Sequence, residues 1–284
     1  MALVPFPSKS AKAAAEPPDP DWDDGPEDEP DGAGKMSFLE HLDELRRRII
    51  YSVLSLVGGV LIACIFLRRL YDFVMEPMQA ALGTGAAQSA IGTKMIYTEP
   101  TEGMMLWVKI ALIAGVLIAS PAILWQVWQF IAPGLYVHEK KLAIPFVVLG
   151  TLLAVGGAAF AHYQAFPLTW AFLGSFTNQY TEFLPRIAPA FSLYMTLVLM
   201  FAVIFQLPTV VLFLSRLGLV TARFLIRHFK YAILIMVIAG AVLSPGGDPV
   251  SQMLFAVPMF ILYCFSIVLA WLFGKKKKTE LADA

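Results

Sequence analysis

Six long apolar runs, at roughly residues 49–67, 104–131, 142–163, 191–214, 229–243 and 252–273, alternate with polar segments along the chain. An α-helix rises about 1.5 Å per residue, so about 20 apolar residues cross the roughly 30 Å hydrocarbon core of a bilayer. The pattern predicts an all-α integral membrane protein with six transmembrane helices. The fifth run is short by this measure and calls for a thinned bilayer or shielding by partner helices. Ahead of the first run, SFLEHLDELRRR at 37–48 places Phe38, Leu42 and Leu45 on one stripe with Ile49, while Glu40, His41, Asp43, Glu44 and three arginines cover the rest. Such a helix lies along the membrane interface before turning into it. Ser37 with Glu40 forms a capping box that marks its start.

Composition agrees: 58% of residues are hydrophobic, 15% are charged, and mean hydropathy is +0.69. Residues 1–35 depart from this pattern, with seven prolines among many Asp and Glu. They read as a disordered acidic tail, since they cannot bury enough apolar surface to offset the entropy of ordering. They lack the basic lead, apolar core and small-residue cleavage site of a signal peptide. Met36 opens a membrane domain expected over 36–274, and Lys275 to Lys278 begin a basic tail over 275–284. Cys64 and Cys264 fall within apolar runs and read as buried hydrophobes rather than a disulfide. Counting Lys and Arg beside the runs gives 13 on the side of the N-terminus and four, Arg68, Arg69, Lys94 and Arg186, on the other. That asymmetry places both termini in the cytoplasm.

The polar break FIAPGLYVHEKK at 130–141 carries one carboxylate, Glu139, beside His138, Lys140 and Lys141, after a Pro133-Gly134 pair that ends the preceding helix. Glu139 and Glu44 thus face one compartment at the membrane surface, where paired acids can receive a cation. Each also has a local alternative, Glu44 with Arg47 or Arg48 and Glu139 with Lys140 or Lys141. On the outer side, Pro77 is expected to end the helix that leaves the membrane, and the aromatic segment 166–189 is expected to form a looped cap. SPGGDPVS at 244–251 reads as a tight turn with Asp248 at its tip. Polar groups inside the runs are Lys109, Gln126, Gln129, His162 and Gln206. Lys109 and His162 lie near outer span ends and are expected to snorkel. Gln206 lies at mid-span ahead of Leu207-Pro208 and needs a partner, within the bundle or on another protein's helix.

Residues for reaction chemistry are sparse. GTGAAQSAIGTK at 83–94 lacks the Gly-Lys-Thr order of a phosphate loop, and HExxH, GxSxG and Cys/His clusters are missing. A non-enzyme without metal or cofactor is the expectation. A secondary transporter of a small solute is the alternative, but it calls for polar residues converging at mid-membrane and an internal repeat. Gln206 alone lies that deep.

From about Met36 to Phe273 the chain resembles TatC, the multispanning subunit of the bacterial twin-arginine protein translocase. The matching pieces are HLDELRRR at 41–48, SPAILWQVWQFIAPGLYVHEKK at 120–141, AFPLTW at 165–170 and SPGGDPVSQMLFAVPM at 244–259. The resemblance implies a receptor in the bacterial inner membrane for folded precursors whose signal peptides carry two consecutive arginines. It implies that Glu44 and Glu139 receive those arginines, with Arg46 holding the acids in place. Pro121 and Phe130 match family positions that read as helix shape and packing, and Pro77 and Asp248 match outer-side positions. Gln206 stands where many relatives carry a glutamate. Implied partners are the single-span subunits TatA and TatB, further copies of the chain and membrane lipid, with the proton-motive force as energy source.

Overall fold

The computed structural model describes residues 38–83, 95–132, 143–176, 180, 185–244 and 249–274. Apolar runs of this length satisfy their backbone polar groups only within a helix when surrounded by lipid, and among the described residues all regular structure is helical. In chain order the helices are α1 (Phe38–Ile65), α2 (Leu67–Gly83), α3 (Glu102–Ile131), α4 (Ala143–Phe160), α5 (Phe166–Gly174), α6 (Ile187–Ile204), α7 (Leu207–Arg216), α8 (Ala222–Arg227), α9 (Phe229–Leu243) and α10 (Pro249–Phe273). Five stretches are long and apolar enough to cross a membrane, Leu39–Ile65, Glu102–Ile131, Ala143–Gly174, Ile187–Arg216 and Gln252–Phe273, and Phe229–Val242 is a shorter apolar helix. These are the six predicted runs, the short fifth included.

Small residues let α1 and α3 come into close backbone contact. A Cβ on Gly59 of α1 would run into the Gly115 carbonyl of α3, and one on Gly115 would come within 2.8 Å of the Val60 backbone. Lipid supplies no hydrophobic drive for helix association, so this backbone proximity is what dispersion forces can use. At the centre lies α6, which buries Phe191, Tyr194, Leu197, Val198 and Phe201. Phe166 and Trp170 of α5 and Phe255 of α10 join the same core.

Several sequence expectations are corrected here. Pro77 does not end α2, which runs on to Gly83 with Pro77 inside it; Pro77 is buried beside the buried Met78, so packing carries the helix past the missing N–H. Residues 166–174 form α5 rather than a loop, and α5 continues α4 through a π-helical turn, Ala161–Ala165. Pro167 would clash with the carbonyl four residues back in an unbroken α-helix. The wider turn ahead of it, where Phe166 N–H bonds to Ala161 C=O, accommodates that ring. Cys64 is exposed on the apolar surface and Cys264 is half-buried; both are free thiols. His162 does not snorkel: it is 2% exposed, with Nδ1 2.9 Å from the Tyr194 hydroxyl and its ring stacked on Phe73 at 4.1 Å. The capping-box residue Ser37 lies outside the described residues.

Candidate functional site

The first turns of α1 and the last turns of α3 meet at one end of the bundle. Arg48 links them: its Nε donates to Glu44 Oε1 at 2.6 Å, and its guanidinium donates to Gln126 Oε1 at 3.2 Å and to Gln129 Oε1. Glu44 and Arg48 are four apart and Gln126 and Gln129 three apart, so each pair lies on one helix face. With side chains only 17% and 21% exposed, Glu44 and Arg48 are partly desolvated, which strengthens the pair over a surface salt bridge. Both contacts from Arg48 fall on Oε1. Beside this network His41 stacks on Phe130 at 4.5 Å, and Arg47 lies over the Tyr51 ring at 5.7 Å.

Of the two local partners open to Glu44 in the sequence, the structure selects Arg48. Arg46, expected to hold the acids, is exposed. It stands two residues from Glu44 and therefore on a different helix face, and the arginine that bonds Glu44 is Arg48. Glu139 lies outside the described residues, as does Asp248. The flanks of Glu139's segment are nonetheless well packed: Ile131, Ala132 and Ala143 belong to a small cluster in which Trp128, Phe146 and Phe213 meet with ring centroids 5.2 to 5.6 Å apart. The end of α3 and the start of α4, which flank that segment, thus lie at the same end of the bundle as Glu44.

Pro121 is exposed in mid-helix, and the Leu117 carbonyl that its ring deprives of an N–H accepts the Ser120 hydroxyl at 2.7 Å. Gln206 sits at the break between α6 and α7, and its Nε2 donates to the Gly150 carbonyl of α4 at 2.8 Å. Its partner is therefore within the bundle. At the opposite end, Glu102 is buried at the start of α3, where it accepts from Thr98 Oγ1 at 2.8 Å and from Arg186 at 3.1 Å. A backbone bridge pairs Ile96 with Arg186. Sequence reasoning passed over this cluster. The Thr98-to-Glu102 spacing was visible, whereas Arg186 lies 84 residues further along.

Comparison with known proteins resolves the family. A profile of the Sec-independent protein translocase protein (TatC) family matches residues 40–258. The chain belongs to the TatC family. The TatC of Koribacter versatilis is 36% identical over 249 residues, covering 88% of this chain and 90% of its own. That of Helicobacter pylori strain J99 is also 36% identical, over 86% of this chain and 92% of its own. Two crystal structures of the twin-arginine translocase receptor TatC superpose on the fold with TM-scores of 0.68 and 0.70 at 34% and 35% identity; they cover 81% and 83% of this chain and 97% and 100% of theirs. As a TatC-family member the chain is a multi-pass inner-membrane component of the Sec-independent protein translocase. The small-solute transporter reading finds no support.

Proposed function

We propose that this TatC-family chain is the receptor that binds twin-arginine signal peptides at the cytoplasmic face. Glu44 and Glu139 are the two acids that take the paired arginines. The observation that carries this reading is the Glu44 carboxylate, held near the start of α1 by an arginine that is itself tied to two glutamines of α3. A carboxylate fixed in this way loses little entropy on binding, and guanidinium offers it bidentate, charge-assisted bonds that an ammonium cannot match. Arg48 offsets the Glu44 charge while the site is empty, and the exposed Arg46 sits at the rim.

Binding then recruits single-span TatA- and TatB-type subunits and further copies of the chain, with passage driven by the proton-motive force. Gln206, already bonded inside the bundle, braces α7 against α4 in this scheme, and Asp248 shapes the outer turn. The acidic segment 1–35 and the basic segment 275–284 flank the membrane domain as cytoplasmic tails. The test is export of a folded fluorescent reporter carrying a twin-arginine signal, in cells where this chain replaces the resident TatC. Glu44→Gln and Glu139→Gln are expected to abolish export while membrane levels stay unchanged. Full export by both variants would overturn the assignment.

A further inference from the structure

We propose that a cavity between the start of α4 and the end of α7 is a binding site for an anionic phospholipid of the cytoplasmic leaflet. Arg216 holds the phosphate, and the slot behind it holds the upper part of an acyl chain. The cavity has a volume of about 160 Å³ and is walled by Phe146, Leu149, Leu212 and Phe213. Two polar groups enter it, Thr209 and Arg216. Thr209 is 1% exposed, and its hydroxyl has no hydrogen-bond partner among the described residues. Thr151, Thr169 and Thr196, by contrast, return their hydroxyls to the carbonyl four residues back at 2.7, 2.7 and 2.9 Å. The usual way of satisfying a helical threonine is therefore not taken at Thr209, whose donor is left facing the slot.

Arg216 lies at the mouth, its guanidinium over the Phe273 ring at 5.5 Å and its buried Nε without a partner among the described residues. A half-buried cation with an idle buried donor calls for an anion. Seven residues separate the two groups, a rise of about 10 Å along α7, which leaves a cationic mouth above a hydroxyl and apolar walls. Phosphate, ester carbonyl and hydrocarbon occur in that order in a phospholipid. The Trp128, Phe146 and Phe213 rings beside the cavity put it at the end of the bundle that carries Glu44 and Arg48, the side with the excess of Lys and Arg. In the sequence Lys275 to Lys278 follow one residue after α10, which supplies Phe273. Basic pockets between spans on this side select anionic headgroups, and a juxtamembrane lysine run enriches them locally.

The test uses the purified full-length chain, delipidated and then offered equal amounts of phosphatidylglycerol and phosphatidylcholine, with retained lipid read by native mass spectrometry. Wild type is expected to keep one lipid, favouring phosphatidylglycerol about fivefold, the worth of one charge near the surface. Arg216→Gln should remove the preference, isosteric Thr209→Val should weaken retention, and Leu212→Trp, which fills the slot with the charge kept, should abolish it. Neutralising Lys275 to Lys278 should leave the retained lipid in place. An unchanged preference in Arg216→Gln would overturn the proposal. So would a wild type that keeps no lipid, as when a segment of the chain itself fills the slot, or a preference lost only on neutralising the lysines.

Discussion

Gly58 and Gly59 are neighbours in α1 with opposite surroundings, which makes them a sharp test of the α1 and α3 contact. Nothing lies within 4 Å of a Cβ built on Gly58, whereas one on Gly59 meets the Gly115 carbonyl, with the Ala119 Cβ and N at 3.1 and 3.3 Å. Replacing glycine by alanine in a helix gains about 1 kcal/mol of helix propensity at either position. At Gly59 the obstruction is backbone, which cannot rotate aside, so the cost falls at the upper end of the roughly 1 to 3 kcal/mol typical of overpacking. The net expectation is a gain of about 1 kcal/mol for Gly58→Ala and a loss of about 2 kcal/mol for Gly59→Ala. For a chain of this size about 1 kcal/mol moves the melting temperature by about 2 to 4 °C. Thermal unfolding in one detergent should then show Gly58→Ala melting about 2 to 4 °C higher than wild type and Gly59→Ala about 4 to 8 °C lower. Equal shifts in the two variants would refute the close backbone contact.

Three further outcomes follow from named contacts. His162→Phe keeps the stack on Phe73 but strands the Tyr194 hydroxyl, so it should cost about 1 to 2 kcal/mol. Adding Tyr194→Phe should recover most of that in a double-mutant cycle read by thermal unfolding. Glu102→Gln removes the charge that ties Thr98 to Arg186. Amide hydrogen exchange at Ile96 and Ile187, which share backbone bonds across the bridge, should accelerate several-fold. Gln206→Leu loses one interhelical bond in a membrane bundle, worth on average about 0.6 kcal/mol; a melting shift under about 3 °C is expected, and a collapse of the fold would show that Gln206 carries more than the Gly150 contact.

The spans were legible because lipid makes their length and apolarity obligatory, and even the short α9 stood out between its polar flanks. Helix continuity was less legible. Pro77 read as a stop because proline costs a backbone bond, and 166–189 read as a looped cap, yet burial of Pro77 and a π turn before Pro167 let the helices run on, and these depend on tertiary packing that a linear pattern does not encode. Glu44 was visible as an acid on a polar helix face, and its pairing with Arg48 follows from four-residue spacing. Its anchoring to Gln126 and Gln129 was not visible, since it requires α1 and α3 to meet at Gly59 and Gly115. His162 was misplaced for the same reason: a histidine near a span end looks free to reach water until Phe73 and Tyr194, distant in sequence, close around it.

The most direct test of the receptor assignment is the affinity of the purified chain for a signal peptide carrying Arg-Arg against the same peptide carrying Lys-Lys, measured for wild type, Glu44→Ala and Glu139→Ala. The loss of bidentate bonding predicts that wild type favours Arg-Arg by about tenfold, with the preference lost in both variants. An undiminished preference in both would contradict the account and leave Glu44 a structural partner of Arg48.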